Sequence, residues 1–210
     1  MEYIKRNYEA EFRADEDTGV IEGVPIVFNS PTDIGGSFRE IIVSGALDLT
    51  DKSDVRFFWN HNIDEKAIAR TIIPLEKKGG MVLEINQDKV LFKANINRKR
   101  TDANDLALAI EDGVINSMSF MFGVEEDRWE GLDTEYPTRY ITKINPLIEV
   151  SAVNFPAYKQ TSIGVRSTES TESDLEVLEK ARTLFNKRST EIEQKKKQEL
   201  ELAKLKALYL

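Results

Sequence analysis

Three kinds of side chain in this sequence could carry chemistry. The only histidine, His61, closes the run "RFFWNHN" at positions 56–62. An imidazole titrates near neutrality, so it can accept a proton from a nucleophile and return it to a leaving group. Read alone, His61 is more readily a hydrogen-bonded turn residue at a strand end than a catalyst. Serines come next. In "VINSMSFMFGV", positions 114–124, alternation puts Val114, Met118, Phe120, Phe122 and Val124 on one apolar face, with Ile115, Ser117, Ser119 and Met121 opposite. A serine hydroxyl needs a base within hydrogen-bond reach, and with no cysteine and one histidine a Ser–His pair is the only conventional nucleophilic arrangement available. The same pattern also fits serines that merely face solvent or a neighbouring strand. The third residue is Glu149, in "PLIEVSAVNFPAY". A carboxylate within an apolar strand is costly unless it is paired, so it demands a partner. His61 Nδ1–H is one candidate, which would give Glu149 the orienting role of the acid in a Ser-His-Asp triad. Arg56, Arg70 and Arg139 are structural alternatives.

Other chemistries find less support. The absence of cysteine together with a single histidine leaves no ordinary metal-ligand set, and no cofactor is expected. The acidic clusters "EED" and "DTE" lie in polar stretches and read as solvated faces. "DIGGSF" at 33–38 and "KKGG" at 77–80 match neither a phosphate loop nor a dinucleotide fingerprint, and read as turns.

The elements that must position these residues are mostly strands. "GVIEGVPIVFNS", "FREIIVSGAL", "DVRFFWN", "MVLEIN" and "KVLFKANIN" are short β-rich runs broken by Gly, Pro and Asn. A helix is expected over "TDANDLALAIEDG", with Thr101 or Asp102 as cap, Leu106, Ala109 and Ile110 as the apolar stripe and Gly113 at the C-terminal left-handed position. Strands resume in "VINSMSFMFGVEEDRW" and, after a polar turn at 131–137, in "YITKINPLIEVSAVNF". Many strands and few helices predict a mainly β, α+β fold, a barrel or sandwich with helices applied to it.

The chain of 210 residues has room for one full domain and an appendage. Its net charge of −8 opposes non-specific attraction to nucleic acid, and no apolar run approaches the roughly 18–20 residues of a membrane span. The first residues, "MEYIKRNYEAEFRAD", carry scattered charges and no apolar leader pattern, so a cytoplasmic location is expected. Residues 167–210 hold nine acidic and nine basic side chains, which leaves the whole −8 on residues 1–166. Two modules are therefore expected: a domain over 1–166, a flexible Ser/Thr/Glu linker over 167–174, and an amphipathic helical tail over 175–210. In the tail Leu175, Leu178, Ala181, Phe185 and Ile192 recur at helical spacing, with a break expected near "NKRST". The tail reads equally as a solvated helix and as a docking or coiled-coil segment.

Taken together and in order, "VFNSPTDIGGSFREIIVSGAL", "FFWNHN" followed by "AIART", "AIEDGVINSMSFMF" and "LIEVSAVNFPAY" resemble the prohead maturation proteases of tailed bacteriophages, over roughly residues 20–166. The resemblance implies a serine endopeptidase distantly similar in fold to the herpesvirus assembly protease, a β-barrel surrounded by helices. It implies action in the host cytoplasm inside the immature shell, cutting scaffold, major capsid precursor and the chain itself. The motifs carry the family's histidine onto His61, its serine onto Ser119 and its acidic residue onto Glu149, leaving Ser117 a neighbour. The herpesvirus enzymes use a second histidine as third member; this chain has none, so Glu149, a water or a bare dyad must serve. A competing reading is a non-catalytic β-rich assembly module whose C-terminal helix binds partner subunits or a second copy.

Overall fold

The computed structural model describes residues 3–9, 13–15, 19–154 and 168–208. In chain order its elements are β1 (Tyr3–Glu9), β2 (Arg13–Ala14), β3 (Val20–Val27), β4 (Thr32–Ile34), β5 (Phe38–Ile42), β6 (Arg56–Trp59), β7 (Ala69–Arg70), β8 (Gly80–Ile85), β9 (Lys89–Asn95), α1 (Thr101–Glu111), β10 (Ser117–Glu130), β11 (Thr138–Val153) and α2 (Thr168–Leu208). The described strands form one sheet in the order β1-β10-β11-β6-β7-β8-β9-β3-β2, with β5 also pairing β11 and carrying β4. The sheet curls into a half-barrel, bringing β3 near β10 and β1. The chain is thus mainly β with two helices, the α+β class expected from its strand-rich pattern.

Sequence explains the curl's inner lining. Strands β3 and β9 alternate buried and partly buried residues, as strands with one face on a core do. Their inward residues meet the buried stripe Ala103, Leu106, Ala107 and Ile110 of α1 in the main core, where Phe57 and Phe92 pack with ring centroids 4.7 Å apart. Helix α1 ends as expected, with Gly113 at φ +71°. Its start differs: the N-cap is Arg100, without a side-chain cap, and Asp102 lies in the first turn. The carboxylate of Asp102 accepts both the Arg100 guanidinium at 3.0 Å and the Ala103 N–H at 2.9 Å, so it serves the first turn from inside the helix rather than from the cap position.

The strand β10 departs from the expected alternation. All seven residues Ser117–Gly123 are buried, so the serine side is covered as well as the apolar side. Val114 lies before the strand and is 72% exposed. Glu125, Glu126, Asp127, Arg128 and Glu130 then carry the β10–β11 hairpin into solvent, while Trp129 stays half-buried against Phe38. The charged N-terminal segment, in which no strand was expected, supplies β1, paired antiparallel to β10 in the register Asn7↔Ser119.

The strand β11 organises the site end of the sheet. One edge pairs β10 antiparallel, and the other pairs two strands parallel: β5 against Thr138–Ile141 and β6 against Glu149–Ala152. The helix α2 runs unbroken through "NKRST" and begins at Thr168, within the stretch whose composition had suggested a linker. The expected domain end at 166 and residue 167 lie outside the described residues. Of the expected tail stripe, Leu178 is buried against Ile34 and Phe38, with Trp129 and Leu132 beside them, while Phe185 and Ile192 are exposed.

Next to this contact lies a buried ion cluster. The Arg6 guanidinium meets Glu40 at 2.5 Å and Asp174 of α2 at 3.0 Å. Arg139 meets Glu40 at 3.3 Å and Asp127 at 2.6 Å. Burial alone would push Glu40 up, but the Arg6 and Arg139 guanidiniums outweigh it and hold the carboxyl below its ordinary value of 4.5. A carboxyl lowered on folding stabilises the fold above its unfolded pKa, and that stability is lost as pH falls through the lower folded value. Glu40→Gln should therefore cost about 1–3 kcal/mol near neutrality, because it removes the charge-assisted bonds from Arg6 and Arg139 while Asp174 and Asp127 still face those guanidiniums. In urea titrations the gap to wild type should narrow as pH drops below 4.5; a gap independent of pH would contradict this account.

Candidate active site

Glu149, Ser151 and Val153 alternate with Val150 and Ala152 along β11, so the polar pair Glu149 and Ser151 shares a face. Antiparallel pairing sets Met121 opposite Glu149 and Ser119 opposite Ser151. On the other side the parallel register places Phe58 beside Ser151 and Trp59 beside Ala152. The strand β6 therefore ends level with the polar pair, and the chain turns there through Asn60 and His61, both left-handed at φ +53° and +58°.

Hydrogen bonds hold this turn to the end of β11. Asn60 N–H donates to the Ala152 carbonyl at 2.8 Å, and Asn154 N–H donates to Asn60 Oδ1 at 3.0 Å. Trp59 Nε1–H reaches Asn154 Oδ1 at 2.9 Å. The turn folds His61 back over the sheet, where its Nδ1 lies 2.6 Å from Glu149 Oε1. Glu149 has no exposed surface and the imidazole is 12% exposed, so the pair is almost wholly screened from water. The structure selects His61 from the partners open to Glu149. Arg56 and Arg70 both turn to Asp54, and Arg139 joins the Glu40 cluster.

Ser119 is fully buried one cross-strand step from Ser151, which places the Cα atoms about 5 Å apart. Its hydroxyl is directed at the main-chain carbonyl of Arg6, at 3.0 Å. Ser117 lies a further two residues along β10, opposite Val153, and donates to Asn116 Oδ1 at 3.1 Å. Of the three expected site residues, His61 and Glu149 are thus in direct contact, while Ser119 lies on the adjoining strand opposite Ser151 with its hydroxyl turned to β1.

Sequence reasoning missed Ser151. Its hydroxyl donates to Glu149 Oε2, and its oxygen accepts the His61 main-chain N–H at 3.2 Å. The available signal was the two-residue spacing from Glu149, which in a strand places both side chains on one face. The Asn60 and Asn154 braces were not legible, because nothing in their spacing announces a contact across 94 residues.

A buried carboxylate bonded to an imidazole, with serines on the adjoining strand, is the class of arrangement that serine hydrolases use. The sequence model of one family, described as caudovirus prohead serine protease, matches residues 7–175. The chain belongs to that family, and its role is that of a capsid-maturation protease acting with capsid precursor proteins in the prohead. No curated protein and no solved structure matches it. Among the described residues no helix is long and apolar enough to cross a membrane.

Replacing Glu149 by leucine would leave the His61 Nδ1–H and the Ser151 hydroxyl without their acceptor. Each buried donor left unpaired costs about 1–3 kcal/mol. Glu149→Leu should therefore unfold at lower urea concentration than Glu149→Gln, which keeps one acceptor oxygen. Equal midpoints would show that the carboxylate's contacts contribute little to the fold.

Proposed function

We propose that the chain cleaves peptide bonds by a Ser119–His61–Glu149 acyl-enzyme mechanism. The observation that carries this reading is the 2.6 Å contact between His61 Nδ1 and the buried Glu149 carboxylate. That bond commits Nδ1 as the donor side and leaves Nε2 as the free base. Ser119 is favoured over Ser117 because it lies opposite Ser151, which touches both members of the pair.

In the reaction His61 Nε2 takes the Ser119 hydroxyl proton as Oγ bonds to the scissile carbonyl carbon. The tetrahedral intermediate collapses as the imidazolium returns that proton to the departing amine, leaving an ester on Ser119. A water molecule, deprotonated by the same nitrogen, then attacks the ester, and as that second tetrahedral intermediate collapses the imidazolium gives the proton to the departing Ser119 Oγ, releasing the acid product and restoring the resting enzyme. Glu149 fixes the ring and offsets the positive charge it carries between these steps. For this to happen the Ser119 hydroxyl must rotate from the Arg6 carbonyl, and the chain covering Ser119 must admit substrate.

The proposed substrates are scaffold and major capsid precursor, and the chain's own C-terminal segment within or beyond residues 167–190. Because Thr168–Leu208 is helical, self-cleavage requires local unwinding of α2. The exposed part of α2, with Leu184, Phe185, Ile192, Leu200 and Leu202 at its surface, would tether the enzyme to its substrates.

The test is labelling with a fluorophosphonate reporter, followed by peptide mapping and a gel assay of self-cleavage. Label should sit on Ser119, and Ser119→Ala and His61→Ala should each lower the rate by about 10⁴-fold or more. Glu149→Gln should lose about 10²- to 10⁴-fold while remaining detectable. Label on Ser117 or Ser151 in folded wild type, or unchanged self-cleavage in Ser119→Ala, would overturn the assignment.

A further inference from the structure

The Glu149 carboxylate has two oxygens, and His61 uses only one. The other, Oε2, accepts the hydroxyl of Ser151, a residue with no exposed surface. The same Ser151 oxygen accepts the main-chain N–H of His61 at 3.2 Å. One side chain therefore grips the acid through its free oxygen and the base through its backbone. We propose that Ser151 is a positioning residue that sets the orientation of the His61–Glu149 pair, an inference that rests on His61 acting as the base.

Three observations carry it. First, the hydrogen bond from Ser151 removes the carboxylate's freedom to rotate about its last torsion, so Oε1 stays aimed at Nδ1. A hydroxyl donating to an ionised carboxylate is among the stronger hydrogen bonds a protein makes. Second, His61 occupies a left-handed backbone conformation that most residues avoid, and the bond from its N–H to Ser151 pins that conformation. Third, the geometry argues against Ser151 as a nucleophile. Its hydroxyl proton is given to Glu149 on the Nδ1 side of the imidazole, whereas proton abstraction needs Nε2.

The single histidine makes the test unusually direct, because ¹⁵N-histidine labelling reports one imidazole and nothing else. Wild type should show one Nδ1-bound proton far downfield, protected from exchange by the Glu149 bond. In Ser151→Ala that resonance should move upfield or broaden away. The maximal rate of Ser119 labelling by the fluorophosphonate should fall roughly 10- to 100-fold, while the concentration giving half that rate stays within about twofold. Ser151→Thr and Ser151→Val have nearly the same shape and differ in the hydroxyl, so the first should keep the downfield resonance and the faster rate, and the second should lose both.

Equal rates and equal spectra for the Thr and Val variants would overturn the proposal, as would a wild-type spectrum and rate in Ser151→Ala. If Thr and Val prove too large for the buried site, folded Ser151→Ala decides alone; if Ala fails to fold, the Thr and Val pair decides. Ser119→Ala serves as the separate control. It should keep the downfield resonance and lose labelling, and labelling that persists there defeats the Ser119 mechanism while leaving the spectroscopic result on Ser151 intact.

Discussion

A carboxylate without exposed surface in the middle of a strand is the constraint around which this end of the molecule is arranged. Left unpaired, the Glu149 carboxylate would cost several kcal/mol to bury. Its two oxygens are satisfied by two donors of different kinds, an imidazole from the β6 turn and a hydroxyl two residues along its own strand. Those donors can meet only if β6 ends beside Ser151 and Ala152 and the chain then doubles back. The parallel register of β6 on β11 supplies the first condition, and the left-handed Asn60–His61 turn supplies the second.

The strand β11 carries a second buried polar centre, and the contrast between the two is instructive. At its start Arg139 joins Arg6, Glu40, Asp127 and Asp174 in a cluster where each carboxylate faces a guanidinium. A guanidinium is charged at every physiological pH, so that centre can bind elements together and cannot exchange protons. Its job is mechanical: it ties β1, β5, the β10–β11 hairpin and the start of α2. At the far end the partner is an imidazole, whose proton can come and go. Arg6 touches both regions, since its side chain belongs to the ion cluster and its carbonyl accepts the Ser119 hydroxyl. The position of the proposed nucleophile thus depends on how firmly β1 is held.

Much of this was legible in the sequence. The runs of β-branched and aromatic residues between Gly, Pro and Asn marked β3, β5, β6, β8 and β9, and the apolar spacing in 101–113 marked α1. An acidic residue inside "LIEVSAV" announced a need for a partner before any partner was visible. Two things were hidden for physical reasons. Strand β1 is rich in charge because Arg6 is satisfied by Glu40 and Asp174, distant in sequence, and local pattern cannot report a distant ion pair. The Ser/Thr/Glu run before Leu175 has the composition of a solvated linker, yet Asp174 is held by Arg6 and the helix begins well before it. In both places a tertiary ion pair overrides what local composition favours.

The turn at Asn60 and His61 shows why the site lies where it does. A left-handed non-glycine residue carries a cost of about 1–2 kcal/mol, and two in succession persist only where their surroundings over-determine them. Here they do. Asn60 is bonded through its N–H to Ala152 and through its side chain to Asn154, and His61 through its N–H to Ser151. Each anchor lies on or just beyond the last residues of β11, where the ladder with β10 and β6 is continuous. In β6 the residue level with Glu149 is Arg56, so the imidazole must double back to reach the carboxylate and must then be held there. A histidine in an unbraced loop could reach it only some of the time. The strained, braced strand end does both, at the expense of backbone energy that the flanking ladder is positioned to offset.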